Sequence, residues 1–277
     1  MRRKAMCGAA VVWAALACGS GATCLHAQDE LVDLVVGLLT DADKDVRALA
    51  LEQVRSDVPG EAATRKFAEL LPTLPADAQA GLLGALAARK DKVAAPAVKR
   101  LLESTESDVV KAAAIEALGT LGGPGDLSAL IDLLLKAPAE QRTAARRSLV
   151  IMQGVDASTA IAELMQASPT PQRIALIEIL AERRARNTIG ALQAAAVDKD
   201  SQVRGAAVAA LGQLADTNDL PGLLDAVLAA ERGRERDAAE KAVMLVCQRT
   251  ADGADPSAPL LAAINGRSEE DQRQLTP

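Results

Sequence analysis

The chain has 277 residues, a formal charge of −6 and 49% hydrophobic residues, yet only 1% aromatic residues, one histidine, four cysteines and no tyrosine. Net negative charge opposes phosphate, and the dearth of aromatics removes any base-stacking surface, which excludes nucleic acid as a partner. The same dearth argues against carbohydrate and tetrapyrrole ligands.

The first element in chain order is a leader. Arg2-Arg3-Lys4 precedes an uncharged apolar run from Ala5 to Ala17, followed by small and polar residues to Ala27 and then Gln28-Asp29-Glu30. A basic start, an apolar stretch of this length and a small residue at the boundary predict a secretory signal peptide over residues 1–27, cleaved after Ala27. Two alternatives stand beside it. Ala15-Leu16-Ala17-Cys18-Gly19 has the form of a weak bacterial lipobox, which would make Cys18 a lipidated first residue and the protein a membrane-anchored lipoprotein. Left uncleaved, the uncharged stretch from Ala5 to Gln28 is long enough to span a bilayer, although the Gly, Ser, Thr and Gln in its second half argue against that.

Removal of the leader takes away His26, Trp13 and three of the four cysteines, leaving Cys247 as the only cysteine and Phe67 as the only aromatic residue. The formal charge moves from −6 to −9, because Arg2, Arg3 and Lys4 leave without an acid. Without histidine and with one cysteine there is no Cys/His zinc site, no Ser-His-Asp or Cys-His nucleophilic pair and no axial histidine for haem. The expectation is a chain without catalytic residues, cofactor or metal, exported to the periplasm or beyond.

Residues 28–277 carry a repeat. Behind Asp200, placed to cap a helix, Val203, Ala206, Ala207, Ala210, Leu211 and Leu214 fall at i, i+3, i+4, i+7, i+8 and i+11, the stripe of an amphipathic helix. Taking Arg204 as reference, the equivalent positions are Arg47, Gln79, Lys111, Arg142, Arg173, Arg204 and Arg236, at steps of 32, 32, 31, 31, 31 and 32, with Arg273 as a looser eighth match. A fixed period of this size means stacked supersecondary units. A second apolar helix precedes each such stripe, as in Leu31-Leu34-Val35-Leu38-Leu39, Ala94-Ala97-Val98-Leu101-Leu102, Leu127-Leu130-Ile131-Leu134 and Leu220-Leu223-Leu224-Val227-Leu228. The predicted units are residues 29–60, 61–92, 93–125, 126–155, 156–186, 187–218 and 219–252, with a partial one at 253–277, each an antiparallel helix pair.

Several local patterns within these units invite a functional reading. In the first, Asp41, Asp43, Asp45 and Glu52 match the acidic ligands of an EF-hand loop, but the obligatory glycine is replaced by Val46, so the acids are read as helix-capping carboxylates. In the third, Gly119 to Gly125 resembles a phosphate-cradling loop in outline, yet it follows a helix and lacks a lysine; it is read as a helix end and linker. Pro96 is expected to open or bend a helix. Units four to six cluster arginines: Arg142, Arg146 and Arg147 on one helix, and Arg183, Arg184 and Arg186 at the end of the next. These could form an acidic-partner site or pair with carboxylates of adjacent units. In unit seven, Glu231 to Asp237 reads as a hydrated turn and Cys247 as a core thiol.

Asp43-Lys44-Asp45-Val46-Arg47-Ala48-Leu49-Ala50, Ser107-Asp108-Val109-Val110-Lys111-Ala112-Ala113-Ala114 and Asp200-Ser201-Gln202-Val203-Arg204-Gly205-Ala206-Ala207 resemble the D-x-x-V-R-x-x-A signature of HEAT repeats, and the step of about 31 residues resembles the short repeats of phycobilin lyases. Ala78, Gln141, Gln172 and Glu235 replace the valine in units two, four, five and seven. The resemblance implies an all-α solenoid of about seven to eight antiparallel helix pairs, a HEAT-like or armadillo-like superhelix, with an arginine ladder between units. It also implies a protein-binding scaffold whose second helices carry the contacts, with Arg142, Arg146, Arg173 and Arg204 as candidate partner-binding residues. The alternatives are a lyase-type repeat enzyme, for which no polar constellation is concentrated in any unit, or a module of a larger exported protein.

Overall fold

The computed structural model describes residues 21–153, 155–250, 255 and 257–275, and its only regular structure among these is helical. They fall into two units, one ending at Leu121 and one beginning at Gly122. The first holds α1 (Gly21–Leu39), α2 (Lys44–Ser56), α3 (Glu61–Glu69), α4 (Ala76–Arg89), α5 (Ala95–Ser104) and α6 (Asp108–Leu121). The second holds α7 (Leu127–Lys136), α8 (Ala139–Ile151), α9 (Val155–Ala167), α10 (Thr170–Glu182), α11 (Ile189–Ala196), α12 (Ser201–Leu214), α13 (Leu220–Ala229), α14 (Arg234–Thr250), α15 (Ala258–Asn265) and α16 (Glu269–Leu275).

Each odd-numbered helix pairs with the even-numbered one that follows. In unit one α2, α4 and α6 pack in succession, and in unit two so do α8, α10, α12 and α14. The first helices make the other layer, with α11, α13 and α15 in sequence. This is α-solenoid construction within each unit: a helix pair cannot bury its apolar faces alone and completes its core against the pairs beside it.

Local chemistry explains where these helices begin. The Asp43 carboxylate accepts the Asp45 N–H at 2.8 Å, and the Asp200 carboxylate accepts the Gln202 N–H at 2.9 Å, so both aspartates are N-caps. Asp41 likewise accepts from the Asp43 N–H, so these acids organise the turn into α2. Among the described residues no group of three or more acidic, cysteine or histidine side chains could hold a metal ion. Pro96 lies in the first turn of α5 and opens it, where its missing N–H costs nothing. After Gly123, whose N–H is accepted by Asp126, a 3-10 turn over Pro124–Asp126 leads into α7. Before α14, Gly233 takes φ 100°, a conformation that side-chain-bearing residues rarely adopt.

The stripe of α12 is buried as its spacing predicts at Val203, Ala207, Ala210, Leu211 and Leu214, whereas Ala206 is only half-buried and Val208 and Gly212 are buried as well. The reason is that α12 packs against α10, α11 and α14, so more than one face is covered. In α1 the expected face is corrected by one residue: Val32, Val35 and Leu39 are buried, whereas Leu31 and Leu34 are exposed. α1 packs on α2 and α3, and no described helix precedes it to cover the other side. The predicted cleavage position Ala27 falls within the span of α1; the apolar run Ala5 to Ala17 and Cys18 lie outside the described residues. No helix among the described residues is long and apolar enough to cross a membrane.

Small residues set the spacing of the second helices. A Cβ built on Gly212 would lie 3.3 Å from the Ala242 Cβ of α14, whereas one on Gly205, in the same helix, would meet nothing within 4 Å. Gly212→Val should therefore destabilise by roughly 1–3 kcal/mol through overpacking. Gly205→Ala should stabilise by about 1 kcal/mol through helix propensity. Urea midpoints for the two variants would move in opposite directions; equal shifts would mean that the α12–α14 approach does not depend on the missing side chain.

Candidate functional site

Arginines on the second helices and just beyond their ends form three sets, distinguished by what their guanidinium groups already hold. The first set lies near the helix N-termini. Arg47 Nη1 donates to the carbonyls of Asp41 (2.8 Å) and Ala42 (3.0 Å), and its Nη2 to Asp77 at 2.9 Å. Arg204 repeats the arrangement: Nη1 donates to the Asp198 and Lys199 carbonyls, while Nε and Nη2 take the two oxygens of Glu235. Arg173 donates to Asp198 at 2.8 Å. Each rung ties a second helix to an acid of the next helix pair, and the planar five-donor guanidinium fork is what lets one side chain hold a turn and a neighbour together.

Two of the four predicted contact residues, Arg173 and Arg204, lie within these rungs. The Arg204 side chain is 9% exposed and that of Arg173 is 17% exposed; Arg204 commits Nε, Nη1 and Nη2 to the fold and Arg173 its Nη2. Arg146 is half-buried and binds both Glu178 and Glu182 of α10. Arg142 alone of the four is exposed with its guanidinium unengaged by any described residue.

The carboxylates of these rungs titrate below their usual range. Asp77 is held down by its hydrogen bond from Arg47, Asp198 by that from Arg173, and Glu235 by that from Arg204. Asp200 is lowered by the Thr170 hydroxyl and Asp216 by the Asn218 N–H. A carboxylate with a depressed pKa in the folded chain binds fewer protons than in the unfolded chain. Its contribution is complete at neutral pH and fades as the pH falls into and below the ordinary carboxylate range. Thermal stability should thus be flat down to about pH 5 and drop below about pH 4. A melting temperature rising on acidification from neutrality would contradict the rungs.

The second set was not recognised in the sequence. Arg89, at the end of α4, reaches back to the end of α2, donating to the carbonyls of Val54, Val58 and Gly60 and to the Thr64 hydroxyl, with its guanidinium 5.6 Å from the Phe67 ring centroid. Arg183, after α10, donates to Leu149, Val150 and Met152 carbonyls at the end of α8 and to the Ser158 hydroxyl. Arg249 in α14 donates to the carbonyls of Gly212, Gln213 and Ala215 at the end of α12. Helix C-termini leave carbonyls without intrahelical partners, and in these pairs the missing donors arrive from the following pair. Burial pushes the Arg89 and Arg183 guanidinium groups down from their usual range, while arginine remains charged. Grouping Arg183 with Arg184 and Arg186 concealed its periodic counterparts Arg89 and Arg249.

The third set faces a groove and shares Arg249 with the second. Between the C-terminal ends of α10, α12 and α14 runs a groove of about 850 Å³, whose charged lining is Arg184, Arg186 and Arg249, with Gln213, Gln248 and Leu245 beside them. Arg186 pairs with Asp216, and Arg184 is exposed, its side chain held by no described residue. Cys247 is buried nearby in α14, and burial pushes its thiol up, as befits a core residue.

The sequence model for HEAT repeats matches residues 64–150 and 157–244. No curated protein matches the sequence significantly. Among solved structures, human deoxyhypusine hydroxylase in complex with glycerol is 20% identical, with 82% of this chain and 99% of that one covered and a TM-score of 0.35. The complex of CpcE and CpcF of phycocyanin lyase from Nostoc sp. PCC7120 is 16% identical, covering 84% of this chain and 93% of that chain at a TM-score of 0.40.

Proposed function

The chain belongs to the HEAT-repeat family, and from that premise we propose that it is an exported, non-catalytic scaffold that binds a protein partner through the surface of its second helices. What carries the reading is the division of labour among the arginines. Rungs and clamps engage Arg47, Arg89, Arg173, Arg183, Arg204 and Arg249 in the fold, while the side chains of Arg142 and Arg184, both in the second unit, are exposed and held by no described residue. The buried polar side chains support it too. Thr64, Ser148, Ser158 and Thr188 are each hydrogen-bonded within their own or the adjacent helix pair, so they serve packing and are not poised for chemistry. Export rests on the basic and apolar leader ending at Ala27.

Photo-crosslinking in cells from positions on α8, α10, α12 and α14 tests the reading, with mass spectrometry of the recovered adducts. The expected result is one recurring protein adduct on a chain that begins at Gln28. Turnover of a small molecule by the purified protein, or a chain that retains its leader in the cytoplasm, would overturn it.

A further inference from the structure

The groove at the C-terminal ends of α10, α12 and α14 is chemically unlike the chain that carries it. Its charged lining is three arginines and no carboxylate, on a protein of net charge −6. The end of α12 would ordinarily present bare carbonyls and the negative pole of the helix to this space, which would repel an anion. Arg249 covers the Gly212, Gln213 and Ala215 carbonyls and removes that obstacle. Asp216 is tied to Arg186 and to the Asn218 N–H, and Glu182, next to the lining residue Ala181, is tied to Arg146. Arg184 then stands as an unopposed cation.

The backbone at Arg184 adds a second observation. Its φ is 53°, the left-handed conformation in which helices usually end on glycine. A glycine there would close α10 with less strain, yet the position carries a long cationic side chain. Lys90 closes α4 in the same way, at φ 60°, and serves as an internal comparison.

Other occupants fit less well. Small-molecule sites are commonly aromatic-walled, whereas this groove has no aromatic residue in its lining and Leu245, 45% exposed, as its most exposed apolar side chain. Nucleic acid would need a long run of phosphate contacts and stacking surfaces. Resting on the scaffold reading, the geometry points to an acidic, extended segment of a partner protein as the occupant, with a carboxylate on Arg184, main chain against the amides of Gln213 and Gln248, and an apolar side chain on Leu245. Bidentate arginine–carboxylate pairing supplies the specificity, and the exposed amides can both donate to and accept from an extended backbone.

The probe is a fluorescein-labelled Glu- and Leu-containing peptide, titrated with the full chain at low and high salt and followed by anisotropy. The Glu peptide should bind, its Lys-for-Glu counterpart should not, and affinity should fall with salt. Arg184→Gly should weaken binding roughly tenfold while melting at an equal or higher temperature, which separates lost contact from lost fold. Lys90→Gly should melt higher with unchanged affinity. Unchanged affinity in Arg184→Gly overturns the assignment, as does inorganic phosphate competing as well as the peptide, which would mean a generic anion site. A protein adduct found in cells, together with no peptide binding, would retain the scaffold and remove this occupant; peptide binding without any adduct would do the reverse.

Discussion

Phe67→Ala should destabilise the first unit by about 3–5 kcal/mol, the largest effect expected of any single truncation. Phe67 is fully buried in α3 and is the only aromatic side chain among residues 28–277, so its volume has no counterpart that could relax into the space. The substitution also removes the ring beneath the Arg89 guanidinium, which lies 5.6 Å from its centroid, and with it part of what holds that arginine against the carbonyls of Val54, Val58 and Gly60. Phe67→Leu should fall between, since it restores apolar volume without the ring face. Urea unfolding followed by circular dichroism would read both. A cost below 1 kcal/mol for the alanine variant would show that the α3 environment collapses freely, contrary to close packing.

Arg183→Met should cost roughly 2–4 kcal/mol in the second unit. Methionine preserves much of the apolar stem but leaves the Leu149, Val150 and Met152 carbonyls and the Ser158 hydroxyl without their donor. Arg183→Lys is the informative companion. It keeps the charge but replaces a planar fork by one ammonium, so it should recover only part of the loss. Hydrogen exchange offers a local reading: amides in the last turn of α8 should lose protection in Arg183→Met before those of α12 do. Equal stability of the lysine and arginine forms would mean that charge at the helix end, and not the distributed hydrogen bonding, is what matters.

The contrast between these arginines shows how far a sequence can be read. The stripe Val203, Ala207, Ala210, Leu211 and the cap at Asp200 are local features, dictated by helical spacing and by a carboxylate two residues from its N–H, and the structure has them where the spacing puts them. The burial of Val208, outside the stripe, and the exposure of Leu34, within its own, depend on whether a third helix lies alongside, which a single stripe does not encode. Although the signature did not single out Glu235 as the acid, a ladder from Arg204 to the adjacent unit was legible through the family resemblance, since both partners are side chains about one repeat apart. The clamp by Arg183 was not, because its acceptors are backbone carbonyls that leave no mark in the residue alphabet. The basic groove escaped for a related reason: Arg184, Arg186 and Arg249 are brought together only by the stacking of three successive second helices.

The arginine clamps all point one way. In each case the donor lies later in the chain than the helix it completes, by 35 residues for Arg89 on Val54, 33 for Arg183 on Val150 and 37 for Arg249 on Gly212. During synthesis, α2, α8 and α12 therefore emerge with open ends and are finished only when the next repeat arrives. Damage should spread by the same rule: a proteolytic nick between α12 and α14 would loosen the older helix upstream of the cut, so that unravelling would run toward the amino terminus.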